Sequence, residues 1–162
     1  MPNQNQKIFD DLRDQIRSKI KDAFSKKLMK DLGKEMADRI RVRTRTGKGV
    51  DSMGADAKPL KRLKDSYRKV RKNSPDLNRS LTSNVKSNLT FTGQLLDSIQ
   101  GDAINERQFI ITLKENRNDG IKNADLTRWQ EEKGRKFFYF SRAEIKAIYN
   151  KINQFLRKEL KL

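Results

Sequence analysis

Neither cysteine nor histidine occurs anywhere in the 162 residues. Without thiols there is no disulfide framework and no thiolate zinc or iron–sulfur site, a composition compatible with a reducing cytosol. Without imidazole, serine–histidine triads, HExxH zinc sites and two-histidine iron sites are excluded, and any catalysis would fall to carboxylates, lysine or tyrosine. Long apolar runs are missing too. No stretch approaches the ~20 residues of a membrane span, and the polar start, MPNQNQKIFDDLRDQ, has no apolar run of signal-peptide length. The expectation is a soluble, initially cytoplasmic chain with no membrane contact. Apolar residues are only 34% of the total against 36% charged, so the core must be thin, and an oligomer would relieve the shortage.

Positive charge is what the sequence has in excess. The net charge is +17, and it is uneven: residues 1–40 carry 10 basic against 7 acidic side chains, residues 41–90 carry 14 against 4, and residues 91–162 carry 14 against 10. Such a field in the middle third favours nucleic acid or an acidic protein surface.

Along the first forty residues an apolar side chain recurs at every fourth position: Ile8, Leu12, Ile16, Ile20, Phe24, Leu28, Leu32, Met36 and Ile40. A period of four drifts about 40° per step on an α-helix, so the stripe would wind almost around a straight cylinder of this length. The segment is therefore either wrapped by partners or broken, with Ser25 and Gly33 as candidate break points. Residues 41–57, RVRTRTGKGVDSMGADA, alternate β-branched and basic residues before turning rich in Gly, Ser and Asp, which predicts a short extended segment and a loop. From Pro59, Leu60, Leu63, Tyr67 and Val70 fall at helical spacing with basic residues between them.

After a polar connector, Thr92 is a plausible N-cap for a helix carrying Leu95, Leu96 and Ile99 and ending at Gly101. Residues 108–114, QFIITLK, make the strongest strand, and residues 137–140, FFYF, an aromatic strand or loop. Ser141 and Glu144 then form a capping box for a final helix striped by Ile145, Ile148, Ile152, Phe155, Leu156 and Leu160. Two long helices around a small, mainly antiparallel sheet predict an α+β fold, with a helical arm at 1–40 and one domain at 41–162 holding a basic loop and helix at 41–72.

No constellation for chemistry emerges. Gly47-Lys48-Gly49 lacks phosphate-loop spacing, and the adjacent carboxylates Asp10-Asp11 and Glu131-Glu132 diverge on a helix and sit among basic residues. Ser66 and Tyr67 near Lys64 and Lys69 have no orienting third group. The residues therefore point to a non-enzyme with no cofactor and no metal. Phosphate contact is better supported, through Arg41, Arg43, Arg45 and Lys48, and through Lys61, Arg62, Lys64, Arg68, Lys69, Arg71 and Lys72. Tyr67 is the one aromatic there, so the pattern suits backbone contact without base stacking, and it suits an acidic protein surface equally well.

The order of segments resembles the tailed-bacteriophage virion-morphogenesis and tail-completion proteins over residues 45–160. Thr92-Gly93-Gln94-Leu95 with Asp97-Ser98-Ile99, and Gly134-Arg135 followed by Phe137-Phe138 and Ser141, carry the resemblance. It implies a small α+β structural subunit that assembles into a homo-oligomeric ring, with six copies suggested by tail symmetry. The ring would join or complete the head–tail junction, between the portal-side connector and the tail proteins and near the packaged DNA end. The protein would then reside in the neck or tail of the virion, after assembly in the host cytoplasm. Gly93 would permit a tight turn into the following helix, Gly134 and Arg135 would position the aromatic segment, and Trp129 to Phe140 would contribute to core and interface. Ordinary core packing accounts for the aromatic run equally well. A free, sequence-independent nucleic-acid-binding protein is the alternative reading of the same basic stretch.

Overall fold

Ser25 divides the first forty residues into two helices. In the computed structural model, which describes residues 4–74, 94–115 and 120–160, α1 (Gln4–Ala23) ends just before Ser25, whose side chain accepts the Leu28 amide at 3.1 Å and so caps α2 (Lys26–Arg45). The wound apolar stripe is thereby split into two shorter ones. Gly33 does not break α2. It lies against Gly101, so close that a Cβ on Gly101 would sit 1.9 Å from the Gly33 carbonyl oxygen. Two glycines at the crossing let a helix and a strand approach backbone to backbone.

The strand beneath that crossing is β3 (Ile99–Asn105), which pairs antiparallel with β4 (Gln108–Leu113), Ile99 opposite Leu113 and Asp102 opposite Ile110, with an irregularity between Ala103 and Asn105. Alternation turns Ile99, Gly101, Ala103, Phe109, Ile111 and Leu113 toward α2, and leaves Gln100, Asp102, Ile104, Ile110 and Thr112 exposed. A second two-stranded ladder joins β1 (Lys48–Gly49) to β2 (Lys58–Pro59), Lys48 opposite Pro59. Short helices α3 (Asp65–Asn73), α4 (Gln94–Asp97) and α5 (Asn123–Glu132) lead to the long α6 (Arg142–Leu160).

The architecture is the α+β one expected, with two small sheets instead of one among the described residues. One core cluster joins Ala37 and Ile40 of α2 to Leu95, Leu96, Ile99 and Phe137; another joins Leu28, Met29 and Leu32 to Phe109 of β4 and to Ile152 and Phe155 of α6. Each fully buried side chain of this size stabilises the fold by about 1.5–3 kcal/mol. The capping box is present: the Glu144 amide donates to Ser141 Oγ at 3.3 Å, and the Ser141 amide donates to Glu144 Oε2 at 2.7 Å.

Three local expectations are corrected. Residues 41–45 are the last turn of α2 and not an extended segment, because β-branched Val42 and Thr44 cost a helix only tenths of a kcal/mol each, up to about 0.7, and tertiary bonds from the arginines outweigh that. The helix after Pro59 begins only at Asp65. Lys58 and Pro59 pair as β2, and Leu60 and Leu63 are buried without being helical. The helix containing Leu95 and Leu96 stops at Asp97, so Gly101 lies inside β3 and terminates nothing. Residues 123–132, for which the sequence pattern predicts no element, form α5. The aromatic run is loop, the final helix is as expected, and Thr92 and Gly93 lie outside the described residues.

Candidate assembly surfaces and the basic segment

The basic residues singled out in the sequence fall into two groups. Arg41, Arg43 and Arg45 share the end of α2 and are committed to the protein's own structure. Arg41 donates to the Leu96 carbonyl at 3.2 Å and also to the carbonyl of Ile99 and to Asp38. Arg45 pairs with Asp97 at 2.5 Å. Arg43 is buried: its guanidinium bonds Glu144, the Phe137 carbonyl at 2.5 Å and the Tyr139 carbonyl at 3.0 Å. Burial pushes Arg43 below its ordinary pKa, and the Glu144 carboxylate opposes that shift. This one side chain fixes α2, the aromatic loop and the start of α6 relative to one another.

The second group lies on β1 and along the segment that leads into and forms α3. Lys48, Lys61, Arg62, Lys64, Lys69 and Lys72 are exposed, Arg68 is half-buried and pairs with Asp65 at 2.8 Å, and Arg71 is buried, where desolvation lowers its pKa. Among the described residues, α3 packs extensively on no other helix or strand. It carries Tyr67 and Val70, 45% and 61% exposed, among its lysines.

The resemblance residues that are described serve the fold. Leu95 is buried, and Ser98 donates from Oγ to the Leu95 carbonyl at 2.7 Å while its own carbonyl receives the Lys114 amide at 2.8 Å, joining the end of α4 to the hairpin. Gly134, at φ +74°, closes α5: its amide reaches the Glu131 carbonyl and the Arg135 amide the Gln130 carbonyl, both at 2.8 Å, a left-handed cap that favours glycine. Arg135 also donates from Nε to the Lys61 carbonyl at 3.3 Å. Phe137 is fully buried and meets Phe138 edge-on at 6.1 Å, so Phe137 is core. Trp129 is part-exposed on α5.

Among the described residues, α1 and the β3–β4 hairpin both leave large apolar side chains open. On α1, Ile8 and Phe9 are 60% and 69% exposed, with Leu12 and Ile16 beside them; only toward the C-terminal end, at Ile20 and Ala23, is the stripe covered. On the hairpin, Ile104 and Ile110 project from the face opposite α2. The period-four repeat announced the first of these, while nothing in the pattern of QFIITLK says which side of the strand is left bare. Among the described residues no group of three or more carboxylates is placed to hold a metal, and no helix is long and apolar enough to cross a membrane. No protein-family model, curated protein or solved structure matches the chain.

Proposed function

We propose that this protein is a structural subunit of a tailed-phage neck or tail, assembling into a homo-oligomeric ring that joins or completes the head–tail junction, with α1 as its docking arm. The exposed stripe of Ile8, Phe9, Leu12 and Ile16 carries the reading. A helix that keeps four large apolar side chains in water along one face is built to be covered, since such contiguous patches mark interaction sites. The thin core and the ordered segments that resemble tail-completion proteins support the same conclusion, and a portal-side connector or tail protein is the class of partner the arm would meet. Within this reading the protein performs no catalysis and holds no cofactor.

An antibody against the protein should label the head–tail junction of purified particles, and Leu12→Glu should fold normally yet be missing from them. Label spread over heads or along tails would count against the location, and normal incorporation of the variant would count against the arm.

A further inference from the structure

Three segments that are far apart in sequence meet just past the C-terminal end of α2. The Leu60 amide donates to the Gly47 carbonyl at 2.8 Å, the Val50 amide to the Lys136 carbonyl at 3.0 Å, and Arg135 Nε to the Lys61 carbonyl at 3.3 Å. The contact is close enough that a Cβ on Gly49 would stand 2.1 Å from the Lys136 carbonyl oxygen, and Lys61 Cδ lies 3.8 Å from where one on Gly134 would be. Residues 47–50, 60–64 and 133–136 therefore form one continuous surface, with Val50, Leu60, Leu63 and the adjoining Phe137 buried.

Lys48, Lys61, Arg62, Lys64, Lys133 and Lys136 are exposed on this surface. Among the described residues none of the six is held in a salt bridge. Acids nearby in sequence are engaged elsewhere: Asp51 pairs with Lys58 at 3.7 Å and Asp65 with Arg68 at 2.8 Å, which leaves Glu131 and Glu132 at the end of α5. Six cations against two carboxylates leave a surplus of four, before the charge of Arg135, whose other bond is to the neutral Gln130, is added. No large apolar side chain is exposed within the three segments; Tyr67 and Trp129 lie outside them, on α3 and α5. Protein interfaces are built around an apolar or aromatic centre, whereas phosphates need only cations.

We propose that this surface binds the phosphate backbone of duplex nucleic acid without reading its sequence. Lys133 and Lys136, more than sixty residues along the chain from Lys64, belong to it, while Arg41, Arg43 and Arg45 do not, because their guanidinium groups are committed to the protein's own carbonyls and carboxylates. The backbone bonds between the segments hold the cations in place before any ligand arrives, so binding has side chains to order and no loops. Binding of this kind does not depend on the ring reading: a free subunit should take any duplex, and within a neck ring the duplex in reach would be the end of the packaged DNA.

The test is the fluorescence anisotropy of a short labelled DNA duplex titrated with the purified protein over a salt series. Wild type should bind, with log affinity falling against log salt at a slope of about −4 to −5, as about five phosphate contacts require. Lys61→Gln with Lys136→Gln should weaken binding about tenfold or more at near-physiological salt and make the slope shallower by about 2. Lys26→Gln with Lys27→Gln removes the same charge from exposed positions at the other end of α2, about 30 Å away along the helix, and should change affinity by less than about threefold. All four positions are exposed, so circular-dichroism melts of both variants should overlay that of wild type. Equal weakening by the two pairs would overturn the surface in favour of overall charge, and a wild type that does not bind the duplex at near-physiological salt would overturn the proposal outright. Polyglutamate that competes as well as unlabelled duplex at equal charge would assign the surface to an acidic protein instead. Ring formation is read separately, by light scattering without DNA, so either idea can fail alone.

Discussion

Arg43 has no water to fall back on when Glu144 is changed. Its guanidinium lies among the Phe137 and Tyr139 carbonyls and the Glu144 carboxylate, and its Nε makes no hydrogen bond. Glu144→Gln should therefore lower unfolding stability by about 3–5 kcal/mol in denaturant titration, since it strands a buried charge. Replacing Arg43 by Met in the same chain should cost less than the two separate losses combined, because the stranded charge is gone. Steric limits are as sharp at Gly101, where a methyl group would meet the Gly33 backbone at 1.9 Å. Gly101→Ala should cost about 3 kcal/mol or more, overpacking at a site where both sides are backbone. Gly120→Ala is the control: it has φ +72° and open space around it, so it should cost only about 1–2 kcal/mol from the left-handed backbone.

At the scale of elements, α2 and α6 run antiparallel and are tied at two levels, by Arg43–Glu144 near one end and by Lys151–Glu35 toward the middle. The hydrogen bond from Lys151, and secondarily that from Arg39, hold the Glu35 carboxyl below its ordinary pKa of 4.5. A depressed folded-state pKa stabilises the protein above the unfolded-state value, and that contribution is lost as pH falls through the folded one. The melting temperature of wild type should accordingly exceed that of Glu35→Gln at pH 7, with the gap shrinking below about pH 4.5 as the carboxyl is protonated. A gap that grows on acidification would reverse the sign of this linkage.

The elements also show what the sequence made legible. Ser25 as a break, the strand at 108–113 and the Ser141–Glu144 box were readable because each rests on local chemistry: a cap, a run of β-branched and aromatic residues, a reciprocal pair of hydrogen bonds. Residues 41–45 were misread because the bonds that hold them helical come from Leu96, Asp97, Ile99, Phe137 and Glu144, far along the chain. Gly101 looked like a helix stop for the same reason, since its real constraint is Gly33 across the helix–sheet crossing. Of the candidate contact residues, the sequence identified the basic stretch but could not separate arginines spent on the core from lysines left on α3. That partition depends on burial.

For the molecule as a whole, the surplus of charge over apolar residues is resolved by keeping the core to the layers between α2, the hairpin, α6 and the aromatic loop. The cost is apolar surface left in water on α1 and on the hairpin. We propose that other protein covers that surface, and the mass of the purified protein in solution is the decisive measurement. Multi-angle light scattering at near-physiological salt, with negative-stain images of the same sample, should give one discrete multiple of the 19.0 kDa chain and uniform annular particles. A single 19.0 kDa species at every concentration, with no annuli, would contradict it.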